Sequence, residues 1–169
     1  KKYAKNKKIN IFLLKKNKGP GYCRNYGISK SKSKLIAFLD SDDFWTKDKL
    51  SLQIKYMIKT NSPFTYTDYI SFYQKESSNK ILGETNITKK LDFKSFIKNS
   101  SINTSTMIVT RKLIENIKFR NLEKLEDYIF KCEILKKHKN FFALKSPKAT
   151  AYYRLLKTAR SKSKITNIY

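Results

Sequence analysis

The chain has 169 residues, enough for one domain with a sizeable core. Its two cysteines form no CxxC pair and it has a single histidine, which excludes a zinc cluster of Cys and His ligands. No apolar run approaches the roughly 20 residues that a membrane span requires. We therefore expect a cytoplasmic protein that makes at most a peripheral contact with the inner, anionic surface of the cell membrane.

The formal net charge of +25 suggests nucleic-acid binding, but its composition argues against a specific site. Only five of the 38 basic residues are arginine, whose planar guanidinium is favoured for reading base edges and phosphates. The lysines are scattered over the whole chain, as a general compositional bias would produce. We expect no specific nucleic acid partner, although such a surface attracts anionic headgroups and nucleotides nonspecifically.

In chain order, the pattern first predicts a weakly helical start over 1–8, a strand over 9–14 and a turn over 17–21. A helix then runs from 22 to about 31, with Arg24 in its first turn. From the residues alone, two interpretations of Arg24 are equally supported: it binds a diphosphate or carboxylate, or it is a surface cation.

The segment 34–45 has the most informative pattern. A continuous apolar run over 35–39 predicts a buried strand, and Asp40, Asp42 and Asp43 follow it directly. Ligands collect beyond the carboxyl ends of strands in open α/β sheets, and clustered carboxylates suit Mg²⁺ or Mn²⁺ completed by water and substrate phosphates. The alternative is a solvated connection, because Asp and Ser are common in turns and Thr46 could cap the next helix. The residues alone leave both interpretations open.

Helices and strands alternate through the middle of the chain. The spacing predicts a helix over 47–60, a long strand over 63–73, a polar loop over 74–90, a short helix over 91–99 and a strand over 105–110. The apolar stripe of the first helix is assigned to the core and consists of Leu50, Ile54, Met57 and Ile58.

A helix over 123–137 follows, with Glu123, Glu126 and Asp127 crowding its first turn. Acids are favoured at a helix N-terminus by the macrodipole, and the functional alternative is that Asp127 is a general base held near a metal. Short strands are predicted over 141–144 and 149–153. We divide the chain into a domain over 1–154 and a basic tail over 155–169.

Taken together, these motifs resemble a family 2 glycosyltransferase with the GT-A fold, of the bacterial type that builds surface polysaccharide or lipooligosaccharide. Each motif alone is weak, but their order and spacing span nearly the whole chain. The matching stretches are Asn17-x-Gly19, Cys23-Arg24-Asn25, 36–45 with Lys49, Leu50 and Gln53, 64–69, 104–106, 126–128, and Tyr153-Arg154 followed by Ser161.

The resemblance implies an α/β, Rossmann-like fold and a role for each matching residue. Asp40 and Asp42 correspond to the DxD signature, in which the first acid faces the nucleotide sugar and the second ligates Mg²⁺ or Mn²⁺ on the diphosphate. Asp127 corresponds to the catalytic base, and Trp45 lies near the acceptor entrance. The remaining assignments are Arg24, Asn17, Tyr153, Arg154 and Ser161 on the donor side and Glu126 on the acceptor side.

The implied activity is inverting transfer of a sugar from a nucleotide-diphosphate donor to a hydroxyl of a glycan or lipid-linked acceptor. Family members begin with a strand ending in a Pro-x-Tyr-Asn turn and a second strand ending in paired Asp residues and Gly-Ser, which hold the base. Neither element is visible here, so we expect an N-terminally truncated GT-A domain. Two alternatives stay open: a catalytically inactive remnant of that fold and, from another class, a basic nucleic-acid-binding protein.

Overall fold

The computed structural model describes residues 6–74, 79–148 and 151–155. Helices and strands alternate along these residues, as expected for the α/β class. The helices are α1 (Gly19–Lys30), α2 (Lys49–Thr60), α3 (Phe93–Asn99) and α4 (Glu126–Lys137). The strands are β1 (Leu35–Ala37), β2 (Phe44–Trp45), β3 (Phe64–Tyr66), β4 (Tyr69–Gln74), β5 (Asn79–Glu84), β6 (Lys90–Leu91), β7 (Ile108–Thr110), β8 (Ala143–Lys145) and β9 (Ala151–Arg154).

The strands form two mixed sheets. The first has the order β1-β7-β3-β8-β6, in which β3 and β8 are parallel and the other pairs antiparallel. The second has the order β2-β9-β4-β5, in which β4 and β9 are parallel. The chain enters both sheets more than once, so residues far apart in sequence meet where the sheets adjoin.

The core packs α3 and α4 against the first sheet. Phe64 on β3, Val109 on β7 and Phe130 on α4 are fully buried there. The rings of Phe119 and Phe130 stack with centroids 3.8 Å apart, and Phe38 meets both of them edge-on. Because Phe38 lies two residues before the first acid of segment 40–43, this packing anchors the acidic segment to the core.

The predicted strand over 9–14 is wrong. These residues form no strand pairing in the described part of the chain, and they are exposed, with Leu13 at 92%. A strand requires a neighbour that exchanges backbone hydrogen bonds with it, and an apolar run supplies no such neighbour. Of the start predicted over 1–8 as weakly helical, residues 1–5 lie outside the described residues and 7–8 form a turn.

The single strand predicted over 63–73 is two strands in different sheets. The chain breaks between β3 and β4 at Thr67 and Asp68, both of which are buried. Asp68 accepts a hydrogen bond from the backbone N–H of Ile87 at 2.7 Å and forms an ion pair with Lys145 at 2.7 Å. These contacts stabilise the break, because a buried carboxylate must be paired. The polar stretch predicted as a loop over 74–90 contains β5, which pairs antiparallel with β4.

The apolar stripe assigned to the core of α2 is wrong at two of its four positions. Met57 is buried, but Leu50 and Ile58 are 41% and 74% exposed. The fully buried face instead presents Lys49, Gln53 and Met57. Gln53 donates from Nε2 to a threonine hydroxyl of β3 and to a backbone carbonyl shortly before β7. Tertiary hydrogen bonding therefore rotates the polar side of this helix inward.

The other predicted helices and strands occur with bounds shifted by a few residues. The first helix begins at Gly19, inside the predicted turn, so Arg24 lies in its second turn rather than its first. The strand predicted over 105–110 begins only at Ile108, and Glu123 lies before α4 rather than in its first turn. Within 6–74, 79–148 and 151–155, no helix is long and apolar enough to cross a membrane.

Candidate active site

The acidic loop, residues 40–43, follows β1 and is held by Ser105. The backbone N–H of Asp40 donates to Ser105 Oγ at 3.0 Å, and this hydroxyl donates to Asp43 Oδ2 at 2.6 Å. The backbone N–H of Arg154 donates to the other carboxylate oxygen of Asp43 at 3.0 Å. Burial raises the pKa of Asp43, and the hydrogen bonds from Ser105 and Arg154 oppose that rise. Asp43 therefore closes the loop from inside rather than facing a ligand.

Trp45 is attached to the same serine. Its indole Nε1 donates to the backbone carbonyl of Ser105 at 2.7 Å, and the ammonium of Lys49 lies 4.0 Å from the ring centroid. Burial lowers the pKa of Lys49 to about 7, and its Nζ has no hydrogen-bond partner in the part of the chain that the structure describes. The indole is thus fixed between Ser105 and α2.

Arg24 joins the acidic loop to α4. Its guanidinium donates to Asp40 Oδ1 at 2.7 Å and to Glu126 Oε1 at 2.8 Å, and it lies 5.3 Å from the ring centroid of Phe119. Burial by itself lowers the pKa of Arg24, but the two carboxylates outweigh that effect and raise it. The guanidinium is therefore a permanent cation that fixes one acid from each element.

Asp127, the second residue of α4, is held through one carboxylate oxygen. Its Oδ2 accepts from Lys131 Nζ at 2.8 Å and from Thr104 Oγ1 at 2.9 Å. Burial raises the pKa of Asp127, but the Lys131 ammonium and the two hydrogen bonds outweigh that effect and hold it at about 2. Asp127 is therefore ionised at any physiological pH.

A cleft of about 280 Å³ opens beside Asp127. Its walls come from three elements and include Tyr69 on β4, Tyr128 on α4 and Tyr153 on β9. The rings of Tyr69 and Tyr153 meet edge-on, with centroids 5.6 Å apart. A concave surface with aromatic walls and a carboxylate suits a polar organic ligand of sugar size. A larger groove of about 570 Å³ lies between α1 and β1, and Arg24 and Asp40 are among the residues that line it.

The structure brings several of the predicted site residues together. Arg24 contacts Asp40 and Glu126 directly, and Asp127 follows Glu126 on α4. Asp42 is partly exposed in the acidic loop, and its carboxylate makes no hydrogen bond or ion pair with the residues that the structure describes. Across the same residues there is no group of three or more His, Cys, Asp or Glu side chains arranged to hold a metal.

The side chains of Asn17 and Arg154 have hydrogen-bond partners outside this cluster. Asn17 is exposed, and its Oδ1 accepts from the backbone N–H of Gly19 at 2.9 Å, which shapes the turn into α1. Arg154 contributes its backbone to Asp43 and donates from its side chain to Gln74. Ser161 lies outside the described residues. The donor-binding roles of Asn17, Arg154 and Ser161 stay predictions.

Sequence reasoning missed the roles of Thr104, Ser105 and Lys131. The short 3₁₀ turn over Thr104–Thr106 contacts the acidic loop through Ser105 and the first turn of α4 through Thr104. The four-residue spacing of Asp127 and Lys131 could have signalled their ion pair, because such residues are neighbours on a helix. The serine contacts span 60 and 65 positions of sequence, so no local period indicates them. The signal that the sequence carried was that 104–106 is one of the stretches matching the family, without a role for its residues.

The model of glycosyl transferase family 2 matches residues 1–117. An uncharacterized glycosyltransferase of Haemophilus influenzae is 33% identical over 160 residues, which cover 95% of this chain and 62% of that protein. The UDP-Glc:alpha-D-GlcNAc-diphosphoundecaprenol beta-1,3-glucosyltransferase WfgD of Escherichia coli is 30% identical over 161 residues, which cover 95% of this chain and 61% of that protein. This chain thus spans about three fifths of the length of these relatives.

Among solved structures, S. aureus TarS 1-349 in complex with UDP-GlcNAc matches with a TM-score of 0.73 and 19% identity, over 96% of this chain and 47% of that chain. At this identity the similarity concerns the fold alone, and it confirms the GT-A architecture expected from the sequence.

Proposed function

Because the chain belongs to glycosyl transferase family 2, we propose that it serves polysaccharide synthesis by transferring a sugar from a nucleotide-diphosphate donor to a hydroxyl of a glycan or lipid-linked acceptor. The observation that carries this proposal is the bridge of Arg24 between Asp40 and Glu126, because it places the acidic loop beside the helix that bears Asp127. The name of WfgD, which describes a UDP-Glc donor and a diphosphoundecaprenol-linked acceptor, supports the same substrate classes.

A divalent cation fits the oxygen atoms that the acidic loop offers. Mg²⁺ and Mn²⁺ commonly take one or two protein carboxylates and complete their shell with water and substrate phosphates, so a preformed cluster of three acids is not required. Asp42 offers a carboxylate with no other partner in the described part of the chain. Asp40 uses only Oδ1 for Arg24 and retains Oδ2. We assign Asp42 as the main ligand with Asp40 beside it. A cation held there would supply positive charge to the diphosphate of the donor.

The protein's own groups then divide the reaction between them. Arg24 orients the Asp40 carboxylate and adds a fixed positive charge at the donor side. Asp127 accepts the proton of the acceptor hydroxyl as that oxygen attacks the anomeric carbon. Attack from the face opposite the leaving diphosphate inverts the configuration at that carbon. In this scheme Tyr153 lines the cleft and Trp45 and Glu126 lie on the acceptor side.

Titration with UDP, with Mn²⁺ present and absent, tests the donor site. We expect saturable binding that depends on the metal and is lost in Asp42→Ala. Asp48→Ala is the matched control, because Asp48 is a fully exposed acid in the same region, and it should bind as the unchanged chain does. Undiminished binding by Asp42→Ala would refute the metal assignment, and no binding by the folded, unchanged chain would refute a donor site in these residues.

A transfer assay tests the chemistry separately. Asp127→Asn keeps the shape of the side chain but removes its charge, and loss of a general base typically reduces turnover by about 10²–10⁴-fold. UDP binding should persist in this variant, since the acidic loop is unchanged. Turnover equal to that of the unchanged chain would rule out Asp127 as the base. UDP binding without any transfer by the unchanged chain would favour the inactive remnant.

A further inference from the structure

We propose that Lys131 is a positioning residue for the transfer reaction: its buried ammonium holds one carboxylate oxygen of Asp127 and leaves the other oxygen to meet the acceptor hydroxyl. The inference rests on the proposed role of Asp127 as the base. It adds a residue of α4 that lies one helical turn after Asp127 and does not itself touch the reacting atoms.

The ammonium of Lys131 has three acceptors around it. Nζ lies 2.8 Å from Asp127 Oδ2, 2.7 Å from the backbone carbonyl oxygen of Ile102 and 3.5 Å from Thr104 Oγ1. A lysine ammonium has three donors, so this set uses all of them. The side chain is 3% exposed, and its position is therefore fixed by packing as well as by hydrogen bonds.

Both hydrogen bonds to Asp127 end on the same oxygen. Lys131 and Thr104 donate to Oδ2, while Oδ1 receives no hydrogen bond from the residues that the structure describes. Two donors on one oxygen fix the carboxylate plane more firmly than one donor does. Asp127 and Lys131 are both among the residues that line the cleft, together with Tyr69 and Tyr153, and the Asp127 side chain is 34% exposed. The unoccupied Oδ1 is thus the atom available to a hydroxyl that enters there.

The charges around this pair come from three elements. Asp127 is stabilised by Lys131 on its own helix and by Arg24 on α1. Burial disfavours the charged form of Lys131, whereas the negative charges of Asp127 and of Asp40 in the acidic loop favour it and the positive charge of Arg24 opposes it. The aromatic side chains of Tyr69, Tyr128 and Tyr153 line the cleft beside the pair. Without Lys131, the carboxylate would keep only the more remote cation.

A purely structural role makes a different prediction. If Lys131 filled space alone, an apolar side chain of similar length would replace it without any effect on the Asp127 carboxylate. An ion pair makes the opposite prediction, because removal of the ammonium leaves the partly buried carboxylate without this partner. If Lys131 served packing alone, Lys131→Met would leave both the titration of Asp127 and the turnover unchanged. If it positions the base, both must change.

The first experiment is a carboxyl NMR titration of Asp127 in the free chain. Lys131→Met should raise the pKa of Asp127 by about 1–3 units, the usual effect of losing an opposite charge in contact. Lys136→Met, on the exposed side of the same helix, is the matched control and should leave it unchanged. Thr104→Val removes only the second donor and should cause a smaller rise in the same direction, which keeps the test informative if Lys131→Met fails to fold.

The second experiment measures turnover against donor concentration. Lys131→Met should lower kcat about tenfold or more with the donor KM within about twofold, because the base is misplaced while the donor site is intact. Lys131→Arg should recover part of the loss. An unchanged pKa of Asp127 or an unchanged kcat in Lys131→Met would overturn the inference. If the unchanged chain neither binds UDP nor transfers sugar, the proposed function is wrong. A rise in the pKa of Asp127 in Lys131→Met would then still show that Lys131 holds this carboxylate.

Discussion

Replacing Arg24 by methionine tests the bridge on which the active-site assignment depends. Methionine is an unbranched apolar side chain, so this change removes the cation between Asp40 and Glu126 together with its contact to the Phe119 ring. Glu126 then becomes a buried carboxylate without a partner, whereas Asp40 can turn to water. We expect a clear loss of stability together with a loosened acidic loop.

The exposed fractions of the two acids set the magnitude. The Glu126 side chain is 9% exposed and the Asp40 side chain 37%, so Glu126 carries most of the penalty. Removing one partner of a buried ion pair typically costs about 3–5 kcal/mol, and the exposure of Asp40 places the expected value near the lower end, about 3 kcal/mol. For a chain of this size, that corresponds to a fall in Tm of about 6–12 °C.

Urea and thermal unfolding followed by circular dichroism measure this loss. Arg120→Met is the matched control, because Arg120 pairs with Glu133 at 2.6 Å but is 63% exposed. An exposed pair of this kind contributes about 0–1 kcal/mol. The double variant Arg24→Met/Glu126→Gln should recover part of the stability, since the buried charge is then gone. A loss no larger for Arg24→Met than for Arg120→Met would refute the reasoning.

Three further predictions concern buried polar groups. Burial raises the pKa of Asp127, but the adjacent Lys131 ammonium outweighs the effect of burial and holds this pKa at about 2. The ionised carboxylate therefore stabilises the fold above about pH 4, and this stabilisation is lost as the pH falls through about 2. Asp127→Asn should therefore lower the free energy of unfolding at pH 7 by about 1 kcal/mol, after allowance for its partial exposure, and have little effect at pH 2; an equal effect at both pH values would contradict this. Burial lowers the pKa of Lys49 to about 7, so the cost of its charge is full below pH 7 and vanishes above its unfolded value of 10.5. Lys49→Met should raise the free energy of unfolding by about 2 kcal/mol or more at pH 6, and the gain should disappear by about pH 10.5. Urea unfolding at a series of pH values measures this, and a gain that does not depend on pH would contradict the assignment of a lowered pKa to Lys49. Ser105→Ala removes a hydrogen-bond donor from the buried Asp43 carboxylate and should lower the free energy of unfolding by about 1–3 kcal/mol in urea. Ser51→Ala, at an exposed serine, is the control and should change it by less than about 0.5 kcal/mol. Equal losses in the two variants would show that the hydrogen bond from Ser105 to Asp43 does not stabilise the fold.

The sequence by itself determined the elements that depend on local periodicity and turn chemistry. The turn cluster over 17–21 located α1, and the spacing of apolar residues located α2 and α4, each to within a few residues, because a helix satisfies its backbone hydrogen bonds within its own segment. The order of short motifs indicated the family, and the run of acids after a buried strand marked the acidic loop. Each of these motifs and helices is a short local pattern, and recognising it needs no knowledge of which distant residues it contacts.

Tertiary structure decided which strands pair and which polar groups are buried. Residues 9–14 have an apolar pattern but pair with no strand among the described residues. The alternating run over 63–73 is divided at Asp68, because distant groups pair with that carboxylate. The site was decided in the same way: Arg24 meets Glu126 across 102 positions of sequence, and Ser105 meets Asp40 across 65. A hydrogen bond or ion pair between such residues has no local period. Only packing of the two sheets and α4 brings these groups to bonding distance, where burial makes each unpaired alternative costly.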